Sequence, residues 1–173
     1  MRRFAQDTTV AISKSRQDIQ DLLLRWSCQD LGWLDRFDMG IVLLQFVIPR
    51  KTPGKNEAIL YRAQFSITLE TEAKIRLRCT GARGLAEGRF RDAMNRRGRR
   101  EHRVLYLWLK AALEAVTEGI IPFEAIFLPF FVREDGRTVH EVALPFLPKM
   151  MAGSIARMLT AGATSNSGGD PLS

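Results

Sequence analysis

ILYRAQFSITL, residues 59–69, alternates without a break: Ile59, Tyr61, Ala63, Phe65, Ile67 and Leu69 fall on one side, Arg62, Gln64, Ser66 and Thr68 on the other. Successive side chains of a strand point to opposite faces, so the run predicts a strand with one face in a core and one in water. Half-wet strands of this kind belong to antiparallel sheets. Downstream, Glu70, Thr71 and Glu72 offer a reversal into AKIRLRC, residues 73–79, where Ala73, Ile75, Leu77 and Cys79 alternate with Lys74, Arg76 and Arg78. The two runs read as a hairpin whose second strand exposes only cations. Upstream, RKTPGKNE is a turn, with Pro53-Gly54 suited to the central positions of type II, and GIVLLQFVIP (40–49) is a buried strand ended by Pro49.

Further out, Thr9, Val10, Ala11 and Ile12 read as a first short strand, and Ser13 or Ser15 as the N-cap of a helix over SRQDIQDLLLRWS. Ile19, Leu22, Leu23 and Trp26 form its apolar stripe. The Gly- and Arg-rich stretch 80–100, broken by Gly81, Gly84, Gly88 and Gly98, reads as a loop holding about one helical turn. A long helix is predicted from about Glu101 to Glu118, stopped by Gly119, then a short one in IIPFEAIFLPFF with Pro122 in its first turn. REDGRT is a turn at Asp135-Gly136, and residues 139–161 supply closing strand or helix fragments. The expectation is one α+β domain over residues 1–160, a small, mainly antiparallel sheet with helices on one face, in the order β-α-β-β-β-α-α. Residues 161–173 read as a disordered Gly/Ser-rich tail. With 173 residues, 46% of them hydrophobic, the chain suits one core of this size.

The net charge of +7 is local in origin. Residues 74–110 hold twelve Lys+Arg against three acids, leaving fourteen against sixteen for the rest. Ten of the twelve are arginines, whose planar fork grips phosphate oxygens in pairs. Lys74, Arg76 and Arg78, with Arg62 and Gln64, define a wet sheet face; Arg83, Arg89, Arg91 and Arg97 lie in the glycine-rich stretch. Arg96, Arg99, Arg100 and Arg103 recur at helical spacing. These cations read as one nucleic-acid-binding surface, with Tyr61, Phe90, Tyr106 and Trp33 as stacking candidates if single strands bind. Ordinary solvated surface is the competing reading, with Glu70 and Glu72 near enough to pair with some of the arginines.

Chemistry is less legible. Cys28 and Cys79 lack metal-ligand spacing and read as buried free thiols of a reducing compartment. His102 reads as part of the basic face and His140 as surface; neither stands in a nucleophile motif. GARGLAEG matches neither a P-loop nor a dinucleotide fingerprint. Glu70, Glu72, Glu87 and Asp92 would have to gather for a metal-dependent nuclease, and nothing in their spacing gathers them. No catalytic residue, cofactor or metal is therefore assigned. The N-terminus carries Arg2 and Arg3 without a signal-length apolar run, and no membrane span is expected; the chain is read as cytoplasmic.

Residues 109–147 carry Lys110, Ala111, Leu113, Glu114, Ala115, Val116, Gly119 and Ile120, then Phe123, Glu124, Phe127 and Leu128, then Asp135-Gly136-Arg137-Thr138-Val139. This half resembles the C-terminal half of small, functionally uncharacterised proteins of tailed phages, prophages and related metagenomic sequences. Ser15, Arg16, Ile19 and Leu22 fit the family's early helix, whereas residues 40–57 and the arginine-rich stretch depart from it. The resemblance implies a phage setting in a bacterial host and transfers no functional residue. With the charge pattern it leads to an expected nucleic-acid-binding accessory of phage or mobile-element recombination or replication, single-stranded DNA first. Homo-oligomers are expected if the protein anneals strands. The alternative is a protein-interaction module, a host-defence inhibitor or virion assembly factor, docking its basic face on an acidic partner.

Overall fold

The alternation at 59–69 is realised as a strand. A computed structural model describes residues 8–36, 38–51, 58–81, 84–149 and 151–152; the tail, the Pro53-Gly54 turn and Arg83 lie outside them. Strand β3 (Ala58–Thr68) pairs antiparallel with β2 (Ile41–Lys51), and β2 with β1 (Gln29–Arg36), in the spatial order β1-β2-β3. Opposite Ala63 and Phe65 stand Phe46 and Leu44, all four buried, while Gln64 and Gln45 share a 2.6 Å side-chain hydrogen bond on the other face. β1 was not foreseen: Gly32 interrupts its apolar pattern, and its register shifts between Gln29 and Gly32.

The connection from β1 to β2 ends on Gly40, whose φ of +65° suits glycine. A Cβ there would lie 2.7 Å from the carbonyl oxygen of Leu69, whose own N–H donates to the Gly40 carbonyl at 2.7 Å. Gly40→Ala is therefore expected to destabilise by about 1–3 kcal/mol, seen as a lower urea midpoint with unchanged m-value.

Helix α1 (Ile12–Arg25) buries Ser15, Ile19, Leu22 and Leu23. The strand expected at Thr9–Ile12 is absent, because Ile12 already opens α1; its N-cap is Ala11, and Ser15 faces inward instead of capping. Helix α2 (Glu72–Cys79) stands where the second hairpin strand was predicted. Residues 80–81 and 84–85 form a two-residue ladder, β4 and β5, and α3 (Glu87–Arg96) lies within the expected loop. Helix α4 (Arg99–Thr117) begins slightly before its predicted start and packs on α1. After it come α5 (Phe123–Phe127), with Pro122 as its N-cap, and a 3-10 turn at Leu128–Phe130.

Phe131 and Val132 then run beside β3. Thr138 caps α6 (Val139–Ala143) in a reciprocal box with Glu141, and a second 3-10 turn, Leu144–Phe146, follows, so the described closing stretch is helical. The core lies between the inner sheet face and α1, α4 and α5: Ile19 and Leu23 meet Leu44, Phe46, Ile48 and Phe65, with Leu109, Leu113, Phe123 and Phe127. The protein is thus α+β, with helices against one face of an antiparallel sheet. No described helix is long and apolar enough to cross a membrane.

Candidate nucleic-acid interface

The predicted cationic residues divide into three sets. Arg62 stands on the outer sheet face, six residues up β3 from Thr68, about 20 Å at strand rise. Lys74, Arg76 and Arg78 are not on that face at all, since α2 carries them. Of the cations predicted for the wet sheet face only Arg62 stands there, with Arg36 and Lys51 sharing that face by register, so the single basic surface spanning sheet and helix is corrected to a helical set apart from Arg62. Arg89, Arg91 and Arg96 are exposed on α3, and Arg97 is its half-buried C-cap. Arg99, Arg100 and Arg103 occupy the first turns of α4. The row expected from Arg96 to Arg103 is broken at Gly98, which takes φ +80° between the two helices.

α2 and α3 pack together, Phe90, Ala93 and Met94 being half-buried on α3. The Arg76 guanidinium lies 4.7 Å from the Phe90 ring centroid and 2.9 Å from Glu72 one turn back. Arg78 pairs with Glu70 at 3.1 Å. Arg103 turns away toward α1, pairing with Asp18 at 3.1 Å and lying over the Tyr106 ring at 4.6 Å. Arg103 and Lys14 hold the Asp18 carboxyl below its ordinary pKa, the Lys14 hydrogen bond contributing most. By contrast, Lys74, Arg89, Arg91 and Arg99 form no ion pair among the described residues.

Three elements converge on one trough of about 200 Å³. α2 contributes Arg78, the end of α3 Arg96 and Arg97, and α4 Arg100, with Glu70 and Glu101 beside them. Glu70 and Glu101 pair with Arg78 and Arg100 at 3.1 and 3.5 Å. The Arg78–Glu70 pair is exposed and contributes little, so a phosphate can displace the Glu70 carboxylate at small cost.

His102 is not on this surface. Its ring is buried, with Nδ1 2.7 Å from the Gly98 carbonyl oxygen and Nε2 3.2 Å from Arg16 Nε. An arginine Nε–H only donates, so Nε2 presents its lone pair and Nδ1 carries the proton donated to Gly98. Burial holds the His102 pKa below its ordinary value. Arg16 also pairs with Asp35 and lies 4.6 Å from the Trp33 ring centroid. This network borders a cavity of about 680 Å³ shared by Arg16, Asp35, Leu69, Met94, Arg97 and His102. Arg16 and His102 stand 86 positions apart, and no local pattern announces their meeting.

The stacking candidates are engaged elsewhere: Tyr61 stacks on Phe131 at 4.6 Å, Trp33 faces His102 at 5.5 Å, and Phe90 and Tyr106 lie under arginines. Glu72 and Glu70 are each held by an arginine, and no cluster of three or more potential metal ligands occurs among the described residues. His140 is exposed, and its neighbour Glu141 accepts from the Thr138 N–H and hydroxyl, which lowers its pKa. Cys28 is half-buried and Cys79 buried, both free. Comparison of the chain with protein-family models, curated proteins and solved structures gives no match.

Proposed function

We propose that this protein binds nucleic acid through its α2–α3–α4 arginine face, as an accessory of phage or mobile-element recombination or replication. The observation that carries the reading is the convergence of Arg78, Arg96, Arg97 and Arg100, from three elements, on one trough. Exposed Lys74, Arg89 and Arg91 extend the positive field around it. Contact is to phosphates, since of the four stacking candidates Phe90 and Tyr106 lie under guanidinium groups and Tyr61 and Trp33 are packed against other rings. Single-stranded DNA remains the first probe, with duplex and RNA of equal length as comparators.

Anisotropy titrations of labelled strands across a salt series test the reading. If five or six phosphates are neutralised, log Kd should change with log salt with a slope of about 4 for a single strand and about 5 for duplex. Arg78→Glu/Arg96→Glu should weaken binding roughly a hundredfold, while Arg62→Glu, remote on the sheet, should change it less than twofold. Salt-insensitive binding, or equal loss in both variants, would remove the arginine face as the site.

A further inference from the structure

β3 is an edge strand whose outer edge is only half used. The Val132 N–H donates to the Arg62 carbonyl at 2.8 Å and Phe131 bridges Ala63 in the antiparallel sense, so the backbone groups of Arg62 point away from β2. Leu69, of opposite parity, instead bonds to Gly40 at the start of β2. By the same alternation the N–H and C=O of Gln64, Ser66 and Thr68 point outward; the Ala63–Phe131 bridge sets the Gln64 N–H against the Phe130 carbonyl, and no described backbone group takes those of Ser66 and Thr68.

Alongside runs a groove of about 340 Å³. Four consecutive strand residues, Phe65 to Thr68, line it, which places it along the strand's edge, since a groove on one face would meet only alternate residues. Its far wall is apolar: Val104, Leu105 and Trp108 of α4, with Phe130 stacked on Phe65 at 4.4 Å. Trp108 is 38% exposed, a large share for a tryptophan beside a core. At its other end the groove shares Arg100 and Glu101 with the arginine trough.

We propose that this edge accepts an extended peptide of another protein by strand addition, antiparallel to β3 as Phe131–Val132 already is. β3 runs toward the trough, so an antiparallel guest enters from the trough end. Acidic residues lead, lying among Arg78, Arg96 and Arg100, and apolar side chains follow at alternate positions in the groove. Charge selects this guest over a second copy of the chain: β3 against β3 in antiparallel register would carry the neighbour's Arg62 toward the trough, which holds four arginines and two glutamates. The proposal rests on the strand edge and is independent of nucleic-acid binding.

The test uses the full chain and a labelled peptide, Asp-Asp-Asp-Thr-Val-Thr-Val-Thr, followed by anisotropy. Saturable binding is expected, weakened roughly tenfold or more by Ser66→Pro, which removes an outward N–H and leaves the β2 ladder intact. Val104→Glu should weaken it comparably by placing a carboxylate in the apolar wall, and serves should Ser66→Pro unfold the protein. N-methylation of the peptide at alternate residues in one phase should abolish binding, and in the other phase spare it. No binding, equal binding of a permuted peptide of the same composition, or a dimer in sedimentation that Ser66→Pro dissolves would each overturn the proposal.

Discussion

Phe127→Ala should lower the unfolding free energy by about 3–5 kcal/mol and the melting temperature by roughly 10 °C or more. Phe127 is fully buried, with ring centroids of Phe123, Trp108 and Phe65 at 4.6, 5.9 and 6.3 Å. It sits where α5, α4 and the inner sheet face meet, so truncation opens a void that three rigid rings fill poorly. Phe127→Leu should cost less than half as much, because most of the apolar volume remains. Phe146→Ala is the control: that ring is 57% exposed, and its loss should change stability by about 0.5 kcal/mol or less. Thermal and urea unfolding of the three variants separate the outcomes, and a Phe127→Ala protein as stable as the parent would contradict the core described.

The second large effect concerns His102. Its ordinary pKa is 6.5, and burial holds the folded value lower. Between the two values only the unfolded chain carries the proton, so unfolding gains as the acidity rises. The stability contributed by neutral His102 is complete above about pH 6.5 and is lost as the pH falls toward the folded pKa. Protonation would also set a second N–H against the Arg16 Nε–H, ending that hydrogen bond, while Asp35 and Glu101 partly oppose the cost. Urea unfolding from pH 7 downward should show stability declining once the pH passes below about 6.5, with a slope of at most one proton. In His102→Gln this component should vanish. His102→Leu should cost about 2–4 kcal/mol at neutral pH, since it leaves the Gly98 carbonyl and the Arg16 Nε–H without their partner. The carboxylates of Asp18, Asp135 and Glu141 have lowered pKa values, so their contribution is lost in a separate, more acidic window. A flat profile to pH 5 would show that His102 does not titrate differently on folding.

The alternation at Ile59–Leu69 and the stripe Ile19, Leu22, Leu23 were legible because their periods are unambiguous over three or more repeats. AKIRLRC was not. Ile75 and Cys79 lie four apart, a spacing that keeps residues on one face in a strand and in a helix alike. Ala73 and Leu77 distinguish the two, and both are exposed, Leu77 to 77%, their apolar character being a false strand signal. The Glu72–Arg76 pair at helical spacing and the acid at the first helical position were the opposing cues. α3 was hidden by Gly88 in its first turn, although Phe90, Ala93, Met94 and Arg97 already formed a helical stripe. For the site, composition located the charge within residues 74–110 but could not say which arginines meet: Arg78 and Arg100 share a trough only because α2 and α4 are brought together around Gly98.

That geometry has an energetic consequence for the α3 helix. It buries none of its residues, and its packing is chiefly on α2. Its local opening free energy is therefore well below that of the sheet and α4, and its amides can exchange with solvent through openings that leave the core folded. A polyanion bound across Arg89, Arg91 and Arg96 would close those openings selectively, adding protection to this helix by mass action while the slowest-exchanging core amides stay set by global unfolding. Part of the intrinsic attraction would then go into holding α3 in place, so the observed affinity would report the helix's own stability together with its charge.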